Sequence, residues 1–236
     1  MVKEELSHPD RAKAIGLFIL VVGFIGLIAH FTVPAQHNPL RPLNVTDPIG
    51  VATYGKLSRA KYTPNACFAA LDAGGVEYAR IPDQETGRNC GFKNALILEK
   101  SLTPYGAAPL RMTCRQAAAV HIWERHVARP KAEEILGTEL TRIETFGTYA
   151  CRNVAGSRRR SEHAGANAID IWGFRFADGR VVRVKSHWRK EGPEGDFLRA
   201  VFKGSCPLFS VSLGPNFNAA HADHFHFDMG PGDTCR

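Results

Sequence analysis

Ten histidines are spread over 236 residues, and three of them, His221, His224 and His226, crowd into the stretch HADHFHFDM near the C-terminal end. Imidazole changes charge near neutral pH and is the commonest metal ligand, so the crowding points to proton transfer, to metal binding, or to both. On an extended strand, residues i and i+2 project to one face. That spacing sends His224 and His226 together and turns Phe225 and Phe227 toward a core. His221, three residues earlier, falls in a turn able to fold back over the same spot. A second stretch, SEHAGANAID, holds His163 and Asp170 seven positions apart, with small residues that include Gly165 between them. A turn of that length brings an imidazole and a carboxylate to one point, with the small residues allowing close backbone approach. His163, Asp170 and His226 then make a set of two histidines and one carboxylate with a fourth tetrahedral position open, the mark of a catalytic rather than a structural zinc site. Each residue also has a plainer use. Asp170 can pair with an arginine at 158–160, His163 can cap a turn, and the late histidines can simply pack.

The elements that must position these groups read as follows. PNACFAALDAGG predicts a short helix opened near Pro64 and closed by the glycine pair. GFKNALILEKSL reads as a strand or an apolar-faced element. TCRQAAAVHIWERHVARPKAEEILG, from Thr113, is the strongest helix, with Pro130 expected to interrupt it. Strands follow over LTRIETFGTYACR and NAIDIWGFRFADGRVVRVKSHW, the latter a hairpin about its Asp-Gly turn. GDFLRAVFKGSC reads as a helix and HADHFHFDM as a final strand. The fold class is α+β, with helices packed on a small antiparallel sheet that carries the zinc site.

Composition sets the surroundings. Hydrophobic residues make up 44% of the chain, enough for a real core, and the formal charge is +7. That charge suits anionic partners: nucleic acid, an anionic membrane face or an anionic cell wall. Residues 14–33, AIGLFILVVGFIGLIAHFTV, contain no charged side chain and are long enough to cross a bilayer. Lys3, Arg11 and Lys13 precede this run, and only Arg41 and Lys56 follow closely. The positive-inside rule therefore places residues 1–13 in the cytoplasm and the remainder outside, on a single-pass cytoplasmic-membrane anchor. VPA at 33–35 faintly matches a signal-peptidase site, so cleavage is the alternative. Residues 34–56 are punctuated by proline and show no helical or alternating pattern, which predicts a linker to a domain over 57–236. Six cysteines without a CxxC pair read, on an exported chain, as three disulfides. The pairing expected is Cys67–Cys90, Cys151–Cys206 and Cys114–Cys235. Export removes nucleic acid as a partner.

SEHAGANAID taken with HADHFHFDM resembles the group of zinc peptidases that includes lysostaphin, the D-Ala-D-Ala peptidases and the hedgehog signalling domain. Its signature is a His and an Asp seven apart followed by a late His-x-His. More narrowly, CRNVAG, SEHAGANAIDIWGF, LGPNFNAAHADHFHFDM and the cysteines resemble the bacterial extensin-like C-terminal domain family, over residues 57–236. The late histidine triplet is also similar to that of penicillin-insensitive murein endopeptidases. The resemblance implies Zn2+ on His163, Asp170 and His226, with His224 and His221 beside the metal in catalytic roles and Arg152 near the scissile carbonyl. D-Ala-D-Ala dipeptidases carry a Glu base shortly before the last His; here only Asp223 is near, alternating with His224 and expected to point away. A histidine, His224, is therefore the expected base, with His221 orienting or replacing it. The implied protein is a periplasmic zinc metallopeptidase, a hydrolase of peptidoglycan cross-link or stem peptides, tethered to the inner membrane by its N-terminal helix. The alternative is a noncatalytic zinc-binding module of the same fold that binds cell wall or signals.

Overall fold

A computed structural model describes residues 8–87, 89–106 and 109–236. Lys3 and the other residues of 1–7, assigned above to the cytoplasm, lie outside the described residues. The first element, α1 (His8–Thr32), contains a 22-residue stretch, Arg11–Thr32, that is apolar after Lys13, has a mean hydropathy of 2.5 and is not buried against the other described residues. At 1.5 Å per residue that stretch is about 33 Å long, enough for a membrane span or a signal sequence.

The segment 34–56, expected to be a linker, lies on the domain instead. Val45 is fully buried, and Leu43 and Ile49 pack against the core. Helix α2 (Thr53–Ala60) begins inside the segment, and its buried Lys56 donates to the Ala35 carbonyl at 2.6 Å. The segment supplies isolated anchors to a core formed by other elements, so it has no repeating apolar face for a sequence pattern to report.

Helix α3 (Pro64–Ala73) opens on proline and ends at Gly74, with Gly75 at φ +73°, as the sequence predicts. Strand β1 (Glu77–Arg80) follows, then a ribbon of β2 (Gln84–Thr86) and β3 (Cys90–Phe92). Strands β4 (Ala95–Lys100) and β5 (Leu110–Thr113) complete an antiparallel sheet in the order β1-β4-β5. Helix α4 (Cys114–Trp123) is capped by Thr113, whose hydroxyl accepts from the Gln116 amide. It runs on through a π-helical stretch (Glu124–Ala128), α5 (Arg129–Lys131) and a second π-helical stretch (Ala132–Leu136), and stops at the left-handed Gly137. Pro130 does not interrupt this helix. Wider π turns flank it on both sides and accommodate a residue that has no N–H and a bulky ring.

The remaining elements are β6 (Leu140–Gly147), β7 (Ala168–Phe176), β8 (Val181–Arg183), α6 (Val184–His187), α7 (Pro193–Lys203), β9 (Val211–Leu213), β10 (Phe225–Asp228) and β11 (Thr234–Cys235). They form a six-stranded sheet in the order β11-β9-β10-β7-β6, with β8 beside β7. The fold is therefore mixed α+β, but among the described residues it has two sheets and a ribbon where one small sheet is expected. The main sheet is antiparallel except for the parallel β11–β9 pair. The predicted hairpin turns at Asp178 and Gly179, whose φ is +87°. Its second strand is short because the chain bends at once into α6.

Three disulfides form, with pairings that differ from every expected one: Cys67–Cys114, Cys90–Cys151 and Cys206–Cys235, at Cα separations of 6.2, 5.6 and 5.6 Å. Cys67 on α3 meets Cys114 because α3 packs on α4. Cys90 on the ribbon reaches the loop after β6, and Cys206 meets β11 after α7 returns the chain to the sheet. These neighbours are tertiary, so spacing along the chain carries no information about them. The core beneath the sheet is aromatic. Trp123, Phe174, Phe197, Phe225 and Phe227 are all fully buried. Burying one such ring contributes roughly 1.5–3 kcal/mol, which ties β10 firmly to the core through Phe225 and Phe227.

Candidate metal centre

That anchoring fixes which way the histidines face. In the β10–β7 register, Phe225 pairs with Ile171, His226 with Asp170, Phe227 with Ile169 and Asp228 with Ala168. A slip of one residue would exchange faces and bury the histidine in place of the phenylalanine, so core packing selects the register that sets His226 beside Asp170.

His163 arrives from a different element. It sits in a single 3-10 turn (Glu162–Gly165) that Ser161 caps through its hydroxyl and that ends at Ala166, in the left-handed region at φ +53°. Two links hold this turn against the loop after β6. Ala150 N–H donates to the His163 carbonyl at 3.1 Å, and His163 Nδ1–H donates to the Thr148 carbonyl at 2.9 Å. Gly165 is not required for close approach, since a Cβ there would meet nothing nearer than 3.9 Å.

The three expected ligands converge. Their ligand atoms all lie within 4.8 Å of one another, and all three side chains are buried. His163 Nε2 is 3.1 Å from His226 Nδ1 and 3.1 Å from Asp170 Oδ2, and His226 Nδ1 is 2.9 Å from Asp170 Oδ1. Each imidazole is held by its other nitrogen. Thr148 takes Nδ1–H of His163, and Asp228 Oδ2 takes Nε2–H of His226 at 2.9 Å. This is the outer support that metal-binding histidines carry, which fixes the tautomer and aims the remaining nitrogen inward. Bonds of about 2.0–2.1 Å at tetrahedral angles place ligand atoms about 3.3 Å apart. Opening the cluster by a few tenths of an ångström therefore admits a divalent ion, and the donor set fits it.

The electrostatics agree with a site built around positive charge. Burial would raise the Asp170 pKa, but hydrogen bonds from His163 and His226 outweigh it and hold the carboxyl well below its ordinary range. Burial would lower His226, yet its bonds to Asp170 and Asp228 push it up to about 9. A cation is thus held at this point by two carboxylates, and a metal ion would take the place of that proton.

A cleft of about 240 Å³ opens over the cluster, lined in part by Arg152, His221, His224 and His226. His224 Nε2 is 3.6 Å from Asp170 Oδ1, while its Nδ1 is 2.9 Å from Asp223 Oδ1. Asp223 does not point away as strand alternation predicts. It lies just before β10, where backbone outside the strand lets its carboxylate reach the neighbouring imidazole. Arg152 Nη2 is 3.7 Å from Asp170 Oδ2, so the arginine facing this carboxylate is Arg152 and not one of 158–160. His221 packs its ring 5.2 Å from that of His224 and binds Asn218 Oδ1 through Nδ1 at 2.7 Å. Burial and the neighbouring histidines lower its pKa to about 4. All six expected site residues therefore meet in one place.

Three further participants escape the sequence reading. Asp228 supports His226, and the alternation His224, His226, Asp228 on one strand face could have revealed it. Phe146, 59% exposed, lies edge-on to His224 with ring centroids 5.7 Å apart, and Phe217, 41% exposed, flanks His221 at 5.5 Å. Nothing in the sequence brings β6 to this spot, so Phe146 had no signal. By contrast, His121 is a core residue: fully buried, bonded to Ser101 at 2.9 Å, and kept neutral with its pKa lowered by burial to about 4.

No curated protein and no solved structure matches the chain. A family model described as "Extensin-like protein C-terminus" matches residues 65–236, which covers both sheets, the three disulfides and every residue of the centre. The chain belongs to the extensin-like protein C-terminus family.

Proposed function

We propose that this protein is a zinc-dependent hydrolase of peptide amide bonds in peptidoglycan. One observation carries the reading: His163, Asp170 and His226 aim their ligand atoms at one buried point on the floor of a cleft that His221, His224 and Arg152 line. When bound there, zinc supplies Lewis acidity, which makes a water acidic near neutral pH and polarises a carbonyl. Asp223 accepts the Nδ1–H of His224 and leaves Nε2 as a proton acceptor facing the centre. That nitrogen takes the proton from the attacking water and returns it to the leaving amine. The Arg152 guanidinium, half exposed at the cleft wall, stabilises the negative charge that develops on the carbonyl oxygen. His221 is neutral at pH 7 and supports the His224 ring without serving as an acid.

Peptidoglycan as the substrate rests on the setting of the domain. The chain carries a net positive charge, three disulfides suited to an oxidising compartment, and an N-terminal helix fit to hold it at a membrane. An anionic wall polymer rich in peptide amides lies within reach of such a protein. The full-length chain in detergent micelles is expected to release soluble peptide fragments from purified sacculi, to stop after dialysis against a chelator, and to recover on addition of zinc. Release that persists unchanged in the chelated protein would rule the reading out.

A further inference from the structure

The turn that carries His163 borders a second cleft. This one is larger, about 730 Å³, and Glu162 lines both. Its walls are the end of α2, the β2–β3 ribbon and the start of α4. Two disulfides brace them: Cys114 ties the α4 wall to α3, and Cys90 ties the ribbon to Cys151, next to Arg152. A cleft held this way is preorganised, so a ligand does not bear the cost of ordering it.

The charges in the walls are unevenly satisfied. Glu85 pairs with Lys93 at 3.4 Å, and Glu162 accepts from the Asn167 side chain at 2.7 Å. The side chains of Arg115 and Lys61, by contrast, make no hydrogen bond or ion pair with any described residue, and the Glu162 and Asp228 carboxylates act on Arg115 only from beyond ion-pair distance. Lys61 lies out in solvent beside the Tyr62 ring, but Arg115 is half buried. A guanidinium partly withdrawn from water with no hydrogen-bonding partner in contact is costly, and a planar carboxylate matches its fork of donors. The backbone narrows the ligand further. Among the described residues strand β2 pairs only with β3, so one edge of the ribbon is open there to an added extended strand.

We propose that this cleft is a second substrate-binding site, which holds a carboxylate-bearing arm of an extended peptide against Arg115 and Lys61. The peptide's identity rests on the peptidoglycan reading above: a stem peptide is extended and carries free carboxylates. Cross-linked material would lie across both clefts, over the turn that bears Glu162 and His163.

The test is isothermal titration of the zinc-loaded full-length His224→Ala chain in detergent, with a soluble stem tetrapeptide and with the same peptide amidated at its carboxylates. Amidation and Arg115→Ala are each expected to weaken binding at least tenfold, and the amidated peptide should be indifferent to Arg115→Ala. Arg115→Lys should fall between. Lys61 is exposed, so Lys61→Ala leaves the fold intact and should weaken the free-acid peptide about threefold, which keeps the test sound if Arg115→Ala lowers stability. Equal affinity of the Arg115 and Arg115→Ala chains for the free-acid peptide would overturn the proposal, as would no binding at millimolar peptide. Charge-dependent binding by a chain that releases nothing from sacculi would keep this cleft and remove the peptidase reading; cleavage without charge-dependent binding would do the reverse.

Discussion

Replacing His226 with Ala is expected to lower zinc affinity by on the order of 10³-fold or more and to abolish metal-dependent turnover. The loss exceeds that of an outer partner, whose removal costs about 10–100-fold, because a ligand itself is gone. Asp228→Asn provides the graded control. It leaves Nδ1 of His226 in place but removes the carboxylate that fixes the ring at 2.9 Å, so its affinity should fall only within the outer-partner range. Competition with a chromophoric chelator measures both variants, and circular dichroism confirms that they fold. Affinity should also depend on pH in a defined direction. In the metal-free protein His226 is pushed up to about 9 by its two carboxylates, so across the neutral range a metal must displace its proton. Affinity is then expected to rise about tenfold per pH unit toward that value and to level off beyond it. Unchanged zinc affinity in His226→Ala would mean that the ion binds elsewhere.

The second large effect separates chemistry from binding. His224→Ala is expected to lower kcat by about 10²–10⁴-fold, the usual contribution of a positioned general base, while one zinc per chain remains. The distances predict this division. His224 Nε2 stands 3.6 Å from Asp170, farther than the 2.9–3.1 Å contacts among the three candidate ligands, and its ring is oriented from outside by Asp223. Single-turnover cleavage alongside metal analysis checks both halves. Full turnover without His224 would move the base to another group. Loss of the zinc together with turnover would make His224 a ligand.

Much of this centre is legible in the sequence because two of its parts obey local periodicities. Alternation along a strand put His224 and His226 on one face and Phe225 and Phe227 in the core, and the seven-residue spacing of His163 and Asp170 bridged a tight turn into β7. The distal partners were not legible. Thr148 acts through its backbone carbonyl, which every residue type offers, and Phe146 reaches His224 only because β6 lies beside β7. Asp223 defeated the strand rule because the strand begins after it, at Phe225. Disulfide pairing was lost for a related reason. Cys67 meets Cys114 through helix packing, and no count of intervening residues encodes that contact. The stretch 34–56 misled in the opposite sense, since a segment anchored at the scattered buried residues Asn38, Val45, Ala52, Thr53 and Lys56 has no repeating pattern to show.

The most direct measurement is mass spectrometry of the fragments released when the zinc-loaded full-length chain is incubated with purified sacculi in water enriched in oxygen-18. Hydrolysis of a peptide amide predicts fragments with one new amine and one new carboxyl group, a single heavy oxygen in that carboxyl, and none released by the His226→Ala chain. Fragments with an intact peptide and a broken sugar chain, or no fragments from a chain that holds one zinc, would contradict the account and leave a metal-binding module without peptidase chemistry.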